Sequence, residues 1–135
     1  MSLTTGDRLD ILDVISRADW AASRRDAAAY ADLFTDDAVL DGAQGHHEGN
    51  DALRASVGPI WAAEGPASLH LTLNPVIEAG ESGDGHAVTR SILLIINPGP
   101  PPAVRTTAVI TQTLRRTGGS WRISRRTVAV PPEGL

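Results

Sequence analysis

"HAVTRSILLIINPGPPPAVRTTAVITQTLRRTGGSWRISRRTVAV", residues 86–130, decides the fold. Three stretches rich in β-branched residues, 86–97, 103–116 and 120–130, are separated by two clusters that turn the chain, "PGPPP" and "TGG". A fourth strand-like stretch, 68–79, precedes them and ends at "GESGDG". Short turns between consecutive strands predict an antiparallel meander, with the proline cluster as a stiff connection.

Upstream the period changes. In "TTGDRLDILDVISRADWAASRR" the apolar residues Ile11, Leu12, Val14, Ile15, Ala18 and Ala22 recur with helical spacing, and Thr5 or Asp7 can cap the start. "DAAAYADLFTDDA" predicts a second helix capped by Asp26 and closed by Asp36 and Asp37, leading into a short strand over 38–40. "GAQGHHEGND" is loop by composition. "NDALRASVGPIWAAEG" predicts a third helix that Gly58-Pro59 interrupts or ends. Helices first and a meander after them give one α+β domain over 1–135, a curved, mainly antiparallel sheet covered on one face by three N-terminal helices.

Composition excludes several functions. With no cysteine there is no disulfide, no thiolate nucleophile and no cysteine metal site, and an intracellular, cytoplasmic protein is expected. The N-terminus shows no secretory signal, and no run approaches the ~20 apolar residues of a membrane span. All 12 basic residues are arginine, so lysine Schiff-base chemistry is out. A net charge of −4 argues against a nucleic-acid partner. His46 and His47 lack a third ligand nearby, so no metal is expected, and His86 is expected to be exposed.

Strand parity nominates an interior. Val104, Thr106, Ala108, Ile110, Gln112 and Leu114 oppose Arg105 and Arg115, and Ala87, Thr89, Ser91, Leu93 and Ile95 oppose Arg90, so each first set should face the helices. In 68–79 the pattern conflicts: Ser68, His70, Thr72 and Asn74 share one face, and Leu69, Leu71 and Leu73 the other. Either the leucines face the helices and His70 faces water, or small polar residues and one imidazole line a pocket. Asp19 raises a similar question, lying beside the apolar stripe of the first helix in line with Ile15 and Ser23.

Five stretches, "DAAAYADLFTDDAVLDG" (26–42), "HHEGNDALRA" (46–55), "HLTLNPVIE" (70–78), "GHAVTRS" (85–91) and "GGSWRISRRTV" (118–128), carry a resemblance that covers nearly the whole chain. In order and spacing they resemble the SnoaL-like branch of the nuclear transport factor 2-like superfamily. The resemblance implies a cone with an apolar pocket at its wide end. It also implies relatives such as scytalone dehydratase, ketosteroid isomerase, hexachlorocyclohexane dehydrochlorinase and polyketide cyclases, most of which move a proton without metal or organic cofactor. Their pocket histidine falls on His70, with Asn74 four residues on, and their pocket arginine falls on Arg126. Strict alternation from Trp121 turns Arg126 outward, so a bulge between them is required. The family's helix-one aspartate and tyrosine fall on Ser23 and Ala18.

A neutral imidazole is a workable base because its reference pKa is ~6.5. The expected site is therefore His70 as base or acid, Asp19 as its orienting carboxylate in place of Ser23, and Arg126 facing developing negative charge. Trp20, Ser23, Trp61, Thr72, Asn74, Thr89, Ser91, Thr106, Ile110 and Val128 are expected to line the pocket. The expected function is a lyase, isomerase or cyclase acting on a small, largely apolar molecule. The alternative is a non-catalytic binding or assembly module of the same fold. In either case Leu69, Leu71, Leu73, Val88, Ile92, Leu94 and Val109 make the outer sheet face apolar enough to expect a homodimer.

Overall fold

The computed structural model describes residues 2–42 and 44–135. Helix α1, Thr5–Arg24, opens with a capping box. The Thr4 hydroxyl accepts from the Asp7 N–H and the Asp7 carboxylate accepts from the Thr4 N–H, so Thr4 is the cap rather than Thr5 or Asp7. Helix α2 is only Ala27–Asp32, and strand β1 begins at Phe34 and runs to Gly42. The sequence pattern carried this helix further, but pairing with the last strand buries Phe34 and Leu40 and overrides local helix propensity. Asp36 and Asp37 consequently lie in β1 and close no helix. Asp37 accepts from the Arg115 guanidinium at 2.5 and 3.3 Å.

The glycine-rich "loop" contains a second strand, β2 (Gly45–Glu48), hairpin-paired to β1. Helix α3, Asn50–Ala63, continues through Pro59. The residue before a proline normally avoids the helical region because its Cβ meets the ring, and Gly58 has none. Strands β3 (Leu69–Ala79), β4 (His86–Asn97), β5 (Ala103–Thr117) and β6 (Ser120–Ala129) form the antiparallel meander. β6 then pairs parallel with β1, so the open six-stranded sheet is mixed, in the order β2-β1-β6-β5-β4-β3. Gly42 permits that parallel approach, since a Cβ there would sit 2.8 Å from the Val128 carbonyl oxygen.

Bulges settle the parity conflicts. In β3 the register slips between Leu73 and Val76, with Asn74 at φ 56, so Ser68 and His70 turn inward before the bulge and Ile77 packs on the core after it. In β6 Ser124 is the extra residue, its hydroxyl donating to the Thr113 carbonyl, and Trp121, Ile123 and Arg126 all become buried. In β5 the slip falls at Arg105, which leaves the outward set and donates to the Ala63 carbonyl at the end of α3.

The helices cover the inner sheet face and two apolar clusters result. The larger joins α1, α2 and α3 to β1 and β6 through residues such as Ile11, Phe34, Leu53 and Ile123. The smaller is Leu93, Ile95, Ala108 and Ile110, with Val128 against it. Among the described residues no helix is long and apolar enough to cross a membrane.

Candidate active site

Between the two clusters lies a cavity of about 180 Å³. Tyr30, Val57 and Trp61 wall it from the helices, and Leu40, Leu93, Ile95 and Val128 from the sheet. Tyr30 is held at the helix side by edge-on contact with Trp61 at 5.2 Å and tilted contact with Phe34 at 4.9 Å. Ten polar side chains also line it: His70, Glu64, Arg126, Arg105, His47, Asp41, Gln44, Thr106, Thr107 and Tyr30.

His70 is 9 % exposed, and its Nε2 lies 2.6 Å from Glu64 Oε1. With Glu64 ionised, that contact puts the Nε2 hydrogen on the imidazole, leaving Nδ1 the lone-pair nitrogen. Nδ1 has no hydrogen-bond partner among the described residues. Glu64 sits just past α3 and is anchored from its other side. Ser68 donates to the same oxygen at 2.9 Å, and Arg25 donates to the Ser68 hydroxyl and to the Gly65 carbonyl, each at 2.8 Å. Burial alone pushes the Glu64 carboxyl up, but the His70 hydrogen bond and charge, Ser68 and Arg25 outweigh it and hold the group below its ordinary value. The carboxylate beside the histidine is therefore Glu64. The sequence held a signal for it: Leu53, Val57 and Trp61 recur at helical spacing on one face of α3, and Glu64, its C-cap, continues that spacing.

Asp19 does a different job. β3 is an edge strand, with N–H groups facing α1 rather than another strand. Asp19 accepts from the Thr72 N–H at 2.8 Å and the Thr72 hydroxyl at 2.9 Å, and Ser23 accepts from the His70 N–H at 3.0 Å. Farther along, Arg8 donates to the Ile77 carbonyl. One helix face thus stands in for a missing strand and fixes the backbone that carries His70. Burial raises the Asp19 carboxyl, opposed by Thr72 and by the positive field of Arg126 and His70. Asp19→Ala leaves the Thr72 N–H without its acceptor, and a loss of about 1–3 kcal/mol is expected in urea denaturation. A loss within error would show that water replaces the carboxylate freely.

Of the other expected lining residues, Trp61, Thr106 and Val128 border the cavity. Trp20 does not. It is 62 % exposed beneath the Arg24 guanidinium, because it projects from the solvent side of α1. Ser23 and Thr72 are taken up by the α1–β3 contact, and Asn74 is exposed at the bulge. Thr89, Ser91 and Ile110 face inward but are enclosed by packing, and the first two hydroxyls have no partner among the described residues. Tyr30, Glu64, Arg105 and His47 border the cavity without having been singled out.

His46 points away from it, bonded to Glu48 at 2.9 Å and within 3.4 Å of Asp41, contacts that raise its pKa in that order. His86 is half-buried, with Nδ1 3.1 Å from the Asp84 carbonyl oxygen. Among the described residues no three His, Asp or Glu side chains are grouped to hold a metal ion.

Residues 4–127 match the SnoaL-like domain family. The chain belongs to that family. This SnoaL-like protein shares its fold with solved structures at low identity. One is a protein of unknown function with a cystatin-like fold from Nostoc punctiforme (23 % identity, 98 % of this chain and 97 % of that one, TM-score 0.88). Another is ActVI-ORFA from Streptomyces coelicolor (18 %, 93 % and 97 %, TM-score 0.81). A third is LinA (20 %, 96 % and 92 %, TM-score 0.79). No curated protein sequence matches the chain.

Proposed function

We propose that this SnoaL-like protein is a cofactor-free lyase, isomerase or cyclase whose reaction begins with proton transfer on a small, largely apolar molecule. The observation that carries this reading is the 2.6 Å contact between His70 and Glu64 on the wall of a mostly apolar cavity. In this reading His70 Nδ1 takes a proton from a carbon next to a carbonyl. The C–H electron pair moves onto the carbonyl oxygen, and Glu64 stabilises the imidazolium. Arg126 and the Tyr30 hydroxyl receive the negative oxygen. The enolate then regains the proton at another carbon, expels a group from the β-carbon, or attacks a second carbonyl of the same molecule.

All three outcomes share one partial reaction, exchange of a carbon-bound hydrogen with solvent. A panel of single-ring enolisable ketones in D₂O, followed by NMR, should show exchange by the native protein and far slower exchange by His70→Gln. Equal rates for the two proteins across the panel would overturn the reading.

A homodimer through the outer sheet face accompanies this proposal. Leu69, Leu73 and Val76 are exposed there, beside a groove of about 220 Å³ lined by Val88, Ile92, Val109 and Leu135. Light scattering at micromolar concentration is expected to give twice the mass of one chain, and a monomer would contradict it.

A further inference from the structure

Two cations that border the cavity pair with no carboxylate among the described residues. Arg126 is 6 % exposed, and its only protein hydrogen bond among the described residues is from NH1 to Gln112 Oε1 at 3.3 Å. Arg105, at the mouth, donates to the Ala63 carbonyl. Neither guanidinium has a carboxylate within 4 Å among the described residues, although acidic side chains outnumber basic ones 16 to 12 in the chain.

Arg17, Arg115, Arg116 and Arg125 pair with Asp13, Asp37, Asp7 and Asp41. Arg8, Arg24, Arg54, Arg90 and Arg122, which pair with no carboxylate among the described residues, are exposed to water, whereas Arg126 is buried. The two acids that border the cavity are already engaged, Glu64 by His70 and Ser68, and Asp41 by Arg125 and His46. Asp19 lies near enough for its charge and that of Arg126 to be felt, but its oxygens are occupied by Thr72.

A buried guanidinium with no anion beside it is costly unless something supplies one. Gln112 satisfies one N–H through a neutral amide oxygen, and the guanidinium borders the cavity. We infer that the molecule this cavity takes carries an anionic oxygen group before any reaction occurs, a carboxylate or an enolate or phenolate, seated on Arg126 with Arg105 above it at the rim. This deepens the reading given above. There the negative oxygen forms during proton transfer, whereas here the substrate enters already charged, and Arg126 supplies binding as well as transition-state stabilisation. A volume of about 180 Å³ is below the ~300–1,000 Å³ of sites for drug-sized ligands and restricts the molecule to about one ring.

The test is calorimetric titration with benzoate and with 4-nitrophenolate, each beside an uncharged counterpart, benzamide and nitrobenzene. A charge-assisted hydrogen bond in an enclosed site predicts that at least one anion binds on the order of 10–100-fold more tightly than its counterpart. Arg126→Gln should remove the preference. Arg105→Gln, at an exposed position, should reduce it several-fold with the fold intact by circular dichroism, which covers the case in which Arg126→Gln fails to fold. Preference for benzoate alone would assign a carboxylate, and preference for the phenolate alone an enolate-like group.

Equal binding of charged and neutral members, or no binding by either anion at millimolar concentration, would overturn the inference. Neither result touches the deuterium-exchange assay on neutral ketones. Conversely, equal exchange by native protein and His70→Gln would leave an observed anion preference standing.

Discussion

His70→Gln is expected to slow deuterium exchange by ~10²–10⁴-fold, the range a positioned general base contributes. Glutamine keeps a donor that can reach Glu64 but has no basic nitrogen, so the fold should survive while the proton acceptor is lost. Glu64→Gln separates positioning from proton acceptance. It preserves the volume of the group 2.6 Å from the imidazole but removes the charge that stabilises the imidazolium. Exchange should fall on the order of tenfold or more, because the imidazolium formed on proton transfer loses the counter-charge beside it. A Glu64 that only shapes the end of the helix would leave exchange by the folded variant at the native rate.

Stability responds in a defined direction as well. The Glu64 carboxyl is held below its reference value of 4.5, so its contribution is fully present above that pH and is lost as pH falls through the lower folded-state value. Glu64→Gln should lack this acid-side loss in urea denaturation series. An identical acid limb in both proteins would remove the ion-pair account.

The second large effect concerns the fold. Phe34 is 1 % exposed at the start of β1, where it packs against Tyr30 and lies in register with Ile123 of β6. Phe34→Ala should cost about 3–5 kcal/mol, combining lost burial with the cavity left behind. It should also weaken ligand binding, because Tyr30 loses one of the two rings that hold it against the cavity. A cost below about 1 kcal/mol would mean that the neighbouring chain collapses into the space, and the Tyr30–Trp61 wall would then have to move with it.

His70 and Arg126 were legible in the sequence as pocket residues because the family resemblance carries them position by position. Glu64 was legible only in principle. Its helical spacing with Trp61 put it on the buried face, but no local pattern joined it to a histidine six residues on, across the end of a helix and the start of a strand. Asp19 looked like the partner by position and was not one, since the unpaired edge of β3 draws its oxygens. Arg105 was misplaced by parity, because one extra residue in a strand reverses every side chain beyond it and leaves no mark in composition.

Sequence by itself determined the class of fold, the order of the helices and of the strands other than β2, and the absence of thiol and lysine chemistry. Those rest on periodicity and residue chemistry, which are local. Tertiary structure alone decided where α2 gives way to β1, which residues the bulges turn inward, that Glu64 rather than Asp19 meets the imidazole, and that Arg126 is buried with no carboxylate paired to it among the described residues. These depend on contacts between elements far apart in the chain, where burial and hydrogen-bond satisfaction outweigh the preference of any single segment.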